Sequence, residues 1–241
     1  MAHQDDEEAD SVIAEGNRNN QQLPRTVFFY FDLELLYNPI VLTRVVYSIG
    51  SAYSFIGWII YLVPFAIDIG ISSYRAASLS AIGGIGNLLG NATFPLLKKK
   101  LSNEHILYLT TLIGSLSLVV CPLFSSTSSY TALTVPSFIF GYSRGLGILA
   151  SQHIAKENIE EDKITNTFTW LFVAFSIGSV TSGFFSGWIY DQTGSYTVSF
   201  LLLGLFALLS VGPQPFVDSK RNQKKSHQYS RLSPEDDDRQ E

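Results

Sequence analysis

The stretch from Ala76 to Lys100 constrains this chain most, because it is apolar or small almost throughout and carries no charge before three closing lysines. At about 1.5 Å per residue, a helix of about 22 residues crosses a bilayer core of roughly 30 Å. Four glycines on this helix (Gly83, Gly84, Gly86 and Gly90) predict a face that a neighbouring helix backbone approaches closely. The stretch therefore predicts an all-α membrane protein.

Two amides interrupt the same stretch. Asn87 and Asn91 are four residues apart, so both project from one side of the helix. An amide without a partner in hydrocarbon is costly, so we expect both to face a bundle interior or a watery cavity. Two interpretations stay open, namely a contact between helices and a contact with a substrate.

Five further apolar stretches make the protein a six-helix membrane protein, with a transmembrane domain over residues 37–217. The predicted transmembrane helices cover residues 41–65, 76–100, 105–124, 131–152, 165–189 and 197–217. Residues 1–36 are polar and predict a disordered cytosolic arm, and residues 218–241 predict a cytosolic tail. We expect the third and sixth helices to face lipid and the other four to line a cavity, because only those four carry amides, an arginine or a Ser/Gly-rich run.

The distribution of basic residues predicts the orientation. If both termini are cytosolic, 14 Lys and Arg residues fall on the cytosolic side and only Arg75 on the other. This bias follows the positive-inside rule and predicts a multi-pass protein with both ends in the cytosol. Arg44, at the start of the first helix, is expected to snorkel toward the interface.

Arg144 is the only charge deep in any predicted helix, and no acidic residue lies in a helix to pair with it. An intramembrane arginine is a candidate functional residue, because its guanidinium offers paired donors that suit a carboxylate. We expect it to share a cavity with Asn87, and Gly141 and Gly145 to leave room for a ligand. The alternative is that Arg144 pairs with helix-end carbonyls or with an acid from another part of a longer protein.

Composition argues against several other classes of function. The net charge is −5, but 11 of the 21 acidic residues lie in residues 5–10 and 218–241, so the acidity describes solvated tails and implies no nucleic-acid partner. The four histidines have no Cys or acidic residue at metal-ligand spacing, and the glycines follow no strand, so neither a metal site nor a phosphate loop is predicted. We expect no enzyme activity and no cofactor.

Three segments in a fixed order resemble the monocarboxylate transporter family of the major facilitator superfamily. They are FDLELLYNP at residues 31–39, YLVPFA at 61–66 and GWIYDQTGSY at 187–196. The resemblance covers about residues 31–212 and matches only helices seven to twelve, which are one half of that fold. It implies a transporter that moves a small organic solute, a monocarboxylate or a related amphipathic molecule, across the plasma membrane. The missing N-terminal six-helix half, or self-association, would then complete it within the lipid bilayer.

The chain departs from this family at one place. Proton-coupled members typically carry an Asp and an Arg four residues apart on the eighth helix, where this chain has Asn87 and Asn91. The exchange removes an ionisable group and a cation, which argues against lactate-type proton symport. A neutral, zwitterionic or larger amphipathic substrate is more compatible with two amides. Two alternatives to a complete transporter stay open: a non-transporting six-helix protein that binds or chaperones a membrane partner, and a piece of a longer transporter.

Overall fold

The computed structural model describes residues 33–123 and 129–215. Over these residues the chain forms six α-helices, with short 3-10 helices that include Leu33–Tyr37 and Glu161–Lys163, and it has no strand there. The α-helices are α1 (Pro39–Asp68), α2 (Ser73–Lys98), α3 (Asn103–Val120), α4 (Tyr130–Asn158), α5 (Ile164–Thr193) and α6 (Tyr196–Val211). Each overlaps one of the six predicted segments, so the expectation of an all-α membrane protein is confirmed.

Within residues 33–123 and 129–215, three segments are long and apolar enough to cross a membrane: Pro39–Asp68, Asn103–Leu123 and Glu161–Thr193. The helix α6 is apolar but short, with 16 residues. The helices α2 and α4 have 26 and 29 residues, which is ample for a bilayer, but their Gly, Ser and Asn content makes them less apolar. Six crossings therefore stay a prediction, while the six helices themselves are observed.

The helix ends agree with local sequence chemistry. The Asn38 side chain accepts a hydrogen bond from the Ile40 amide at 3.0 Å, and Pro39 occupies the first helical position of α1. Gly194 ends α5 with φ of 64°, a left-handed conformation that glycine adopts without steric cost. That glycine lies in the tight turn between α5 and α6.

The first described element lies before position 37. Residues Leu33–Tyr37 form a short 3-10 helix in which Leu35 is buried, so the last residues of the predicted arm are helical. The rest of that arm and the predicted tail at 218–241 lie outside the described residues. The last helix ends at Val211, six residues before the predicted end at 217.

The bundle is built from two close helix pairs. The helix α2 packs mainly against α4, and α1 packs mainly against α5, while α3 bridges α4 and α6 and α6 also packs against α1. Serine hydroxyls tie neighbouring helices together by donating to backbone carbonyls. They are Ser48 to Leu171, Ser54 to Leu203, Ser117 to Pro136 and Ser182 to Tyr53, at 2.6–2.8 Å. These bonds satisfy hydroxyls where water is absent.

Glycines bring α2 and α4 into backbone contact. A Cβ atom added at Gly141 would lie 1.9 Å from the carbonyl oxygen of Gly83, and one added at Gly145 would lie 2.3 Å from that of Asn87. On α2 itself, a Cβ atom added at Gly90 would lie 2.3 Å from the carbonyl oxygen of Tyr142 on α4. The predicted close approach is therefore found at Gly83, Gly86 and Gly90 with α4 as the partner, whereas Gly84 faces open space.

This contact overturns one expectation. Gly141 and Gly145 leave no room for a ligand, because the backbone of α2 already fills the space above both of them. They are packing residues. The sequence showed that the two glycines flank Arg144 but could not show which neighbour they face.

Two further expectations need correction. Arg44 does not snorkel to the surface: it is fully buried and donates a hydrogen bond to Gln214, which is also buried. The third and sixth helices do not face lipid alone, because Thr110 and Ser115 of α3 and Ser210 of α6 line a cavity inside the bundle. Their polar side chains lie on the inner face, while leucines such as Leu112 stay exposed.

Candidate functional site

Arg144 lies inside the bundle, on the side of α4 that faces α1. Its neighbour Gly145 packs against α2, and successive side chains on a helix point about 100° apart, so the guanidinium is directed away from that contact. Only 9% of the residue is exposed. The close contact between α2 and α4 therefore sets the direction of the arginine.

The partners of Arg144 come from α1. Its Nη1 atom donates to the Ser51 hydroxyl, Tyr47 lines the same two cavities as the arginine, and its guanidinium carbon lies 5.1 Å from the centroid of the Phe55 ring. Each of these neighbours is formally neutral. They solvate the cation in part but do not neutralise it.

One donor of the same guanidinium is unused. The Nε atom of Arg144 is buried and has no hydrogen-bond partner. The acidic residues of the six helices lie only at helix ends, at Asp68, Glu104, Glu157 and Asp191. A buried charge without a counterion is strongly destabilising, and the six helices supply no acidic partner near this position.

A cavity of about 60 Å³ opens beside the guanidinium, between α4 and α5, with α1 as its floor. We call it the α4–α5 cavity. Its wall residues are Tyr47, Ser48 and Ser51 from α1, Arg144, Ile148, Ser151 and Gln152 from α4, and Phe168, Leu171, Phe172 and Phe175 from α5. It combines one cation, several hydroxyls and one amide with an aromatic side, which is the composition of a site for a small amphipathic molecule.

A second cavity, of about 30 Å³, lies on the other side of Arg144 and is enclosed by α1, α3, α4 and α6. Ser115 lines it, and the hydroxyl of Ser115 is buried without a hydrogen-bond partner. Several other wall hydroxyls, including Ser54, Thr110 and Thr111, donate to backbone carbonyls. Its size and its mixture of donors and acceptors suit one or two water molecules.

A larger cavity, of about 420 Å³, is an open apolar groove between α3 and α4. The hydroxyl of its serine, Ser117, already donates to the Pro136 carbonyl at 2.6 Å. Its other wall residues are aliphatic, alanine or proline. Size alone therefore does not make it a candidate site, because it has no group that would orient a solute.

The predicted pair Asn87 and Asn91 is found on α2, half-buried. The Asn91 amide donates to the Asn87 side-chain oxygen at 3.3 Å, and the side-chain oxygen of Asn91 is buried without a partner. Neither of the two cavities at Arg144 contains a residue of α2. Asn87 and Arg144 therefore do not share either of these two cavities, contrary to the expectation from the sequence. The backbone contact of α2 with α4 turns the two side chains apart.

Sequence reasoning missed the aromatic side of the site. Phe168, Phe172 and Phe175 follow a spacing of four and then three residues, which places them on one face of α5. On α4, Arg144, Ile148 and Ser151 follow the same spacing. The spacing could have identified each stripe, but it could not show that the two stripes face each other. In the described parts of the chain, no cluster of His, Cys, Asp or Glu could hold a metal ion.

A buried arginine among apolar helices, beside a small cavity of mixed polarity, is a candidate functional residue. No protein-family model matches the chain. Relatives among curated proteins are monocarboxylate transporter 12 of Rattus norvegicus, 29% identical over 152 residues, and its counterpart in Homo sapiens, 30% identical over 156 residues. Monocarboxylate transporter 13 of Bos taurus is 26% identical over 155 residues.

These alignments cover 63–64% of the chain but only 30–36% of the relatives, so the chain spans about a third of the length of the curated relatives it matches. The predicted relationship to the monocarboxylate transporter family is confirmed. The relatives are transporters and not enzymes, which agrees with the sequence-based expectation.

Proposed function

We propose that this chain forms the second half of a monocarboxylate-transporter-like protein that moves a small organic anion across the plasma membrane. Its six helices would each cross the bilayer, with both termini in the cytosol. The order of the matching segments, the distribution of basic residues and the relationship to monocarboxylate transporters support this proposal.

The observation that carries the proposal is Arg144. A guanidinium that is buried, has no acidic partner in the helices and lines a cavity is complementary in charge and geometry to a carboxylate. Ser48 and Gln152 line the same cavity and would offer further polar contacts. The monocarboxylate would therefore compensate a charge that the protein itself leaves uncompensated.

Asn87 and Asn91 would have a second, separate role. They lie on α2 beside an exposed apolar face that includes Leu88, and the oxygen of Asn91 still lacks a partner. In a complete transporter, amides at this place would contact the substrate or the opposite half. Because they replace a charged pair, they cannot carry a proton, and the proposed transport does not use a proton bound to α2.

The exposed apolar surface of α5 indicates that this helix packs against a further partner. Only 22% of the most apolar 18-residue stretch of this helix is buried, against 56% of the corresponding stretch of α1 and 50% of that of α3. The missing N-terminal half, or a second copy of the chain, would cover this helix and complete a path through the membrane. We therefore expect that the six helices bind the substrate but do not transport it alone.

The same exposed helix favours the alternative function, a membrane protein that binds or chaperones another membrane protein. Phe184, Phe185 and Trp188 are all well exposed on α5, and aromatic residues are enriched at protein contacts. Such a role would not require a buried arginine beside a cavity. The two functions therefore differ in whether Arg144 binds an anion.

A binding experiment separates them. The purified full chain in detergent is titrated with radiolabelled propionate and, in parallel, with propionamide, which has a similar shape without the charge. We expect propionate alone to bind, and Arg144→Gln to weaken its binding roughly tenfold to a hundredfold, because one charge-assisted bond contributes about 1.5–3 kcal/mol. Arg75→Gln is the matched control, because Arg75 is exposed at the start of α2. Equal binding of the acid by wild type and Arg144→Gln would refute the proposal.

A further inference from the structure

The two sides of the α4–α5 cavity differ in polarity. One side carries Arg144 and the hydroxyls of α1, and the other carries the phenylalanine stripe Phe168, Phe172 and Phe175. These three rings occupy successive turns of α5, so they form a continuous aromatic surface that begins beside the guanidinium. A molecule bound here would meet a cation at one end and aromatic rings along its body.

The size of the cavity decides how such a molecule would lie. About 60 Å³ is room for a group as large as a carboxylate but not for a whole organic acid. Phe172 is 65% exposed, so the cavity opens toward the surface beside this ring. The carboxylate would enter toward Arg144, and the rest of the substrate would stay at the opening against Phe172.

The outer end of the stripe is already engaged. The ammonium group of Lys156, three turns from Arg144 on α4, lies 5.7 Å from the centroid of the Phe168 ring. This cation–π contact links α4 and α5 at the end of the cavity remote from Arg144. Phe172 and Phe175 are therefore the rings that remain between the two cations, next to the place where the carboxylate would bind.

From this arrangement we infer that the substrate is an aromatic monocarboxylate, whose carboxylate contacts Arg144 and whose ring packs on Phe172. An aromatic ring gains more from such a surface than an aliphatic group of equal area, because offset and edge-to-face ring pairs add to area burial. The inference rests on the proposed function, since it assigns the substrate class of the same site.

The test uses the purified full chain and three acids: 3-phenylpropionate, 3-cyclohexylpropionate and propionate. We expect 3-phenylpropionate to bind most tightly. Phe172→Leu should weaken its binding about threefold to tenfold and leave propionate unchanged, because only the aromatic contact is lost. Phe172→Tyr should retain the preference. Phe184→Leu is the control, since Phe184 is 69% exposed on the same helix but does not line the cavity.

The outcomes separate the substrate class from the proposed function. If Arg144→Gln weakens the binding of all three acids but Phe172→Leu leaves their relative affinities unchanged, the aromatic inference is overturned and the proposed function stands. Equal affinities of the phenyl and cyclohexyl acids would overturn it as well, because they would indicate a general apolar surface. If the wild-type chain binds none of the acids, the inference and the proposed function both fail.

Discussion

Gly141→Ala tests the packing that directs Arg144 toward α1. The added methyl would lie 1.9 Å from the carbonyl oxygen of Gly83, and both atoms belong to rigid helices. To restore an ordinary contact of at least 3.4 Å, α2 and α4 must separate by roughly 1.5 Å at this point. Overpacking of this kind costs about 1–3 kcal/mol, and backbone atoms cannot relax as a side chain would.

Gly84→Ala provides the matched control, because a Cβ atom at Gly84 meets nothing within 4 Å. Alanine is favoured over glycine inside a helix by roughly 0.5–1 kcal/mol, so this variant should be slightly more stable than wild type. The assay is reversible unfolding of the purified chain in mixed micelles, followed by circular dichroism. The reasoning is refuted if Gly141→Ala is as stable as Gly84→Ala, since the two helices would then not be in backbone contact.

Three further predictions concern separate parts of the bundle. Asn38→Ala should lower the free energy of unfolding by about 1 kcal/mol, because α1 loses its N-cap; no change in the same unfolding assay would contradict the cap. Ser182→Ala should cost about 1 kcal/mol through the lost bond to the Tyr53 carbonyl, and Ser176→Ala, whose hydroxyl bonds only within α5, should cost less. In membranes, a water-soluble thiol reagent should label neither Leu112→Cys nor Leu116→Cys, because both side chains would face lipid; labelling of both would place that face of α3 in water.

The helices could be predicted from the sequence because their cause is local. Twenty or so apolar residues in a row form a helix in a bilayer wherever they occur, and a glycine such as Gly194 ends one wherever a left-handed residue is needed. The sequence also identified Arg144, because a single charge among apolar residues is conspicuous. The predicted end of α6 at 217 is too late, because Gly212 and Pro213 follow Val211 and end the helix there.

The arrangement of the site could not be predicted in the same way, because it depends on how each helix is rotated about its axis. Gly141 and Gly145 suggested open space around the arginine, whereas their small size instead lets α2 approach. That contact turns Arg144 away from Asn87 and toward Ser51, and no sequence pattern indicates that Ser51 contacts the arginine. The phenylalanines of α5 were missed for the same reason.

The most direct measurement is a structure of the full chain with 4-iodobenzoate bound, because anomalous scattering locates the iodine without ambiguity. The account predicts the carboxylate within hydrogen-bonding distance of Arg144 in the α4–α5 cavity, with the iodinated ring against Phe172. It also predicts that this density is absent in Arg144→Gln. Iodobenzoate bound beside Asn87 and Asn91, with the cavity at Arg144 holding only water, would contradict the central claim.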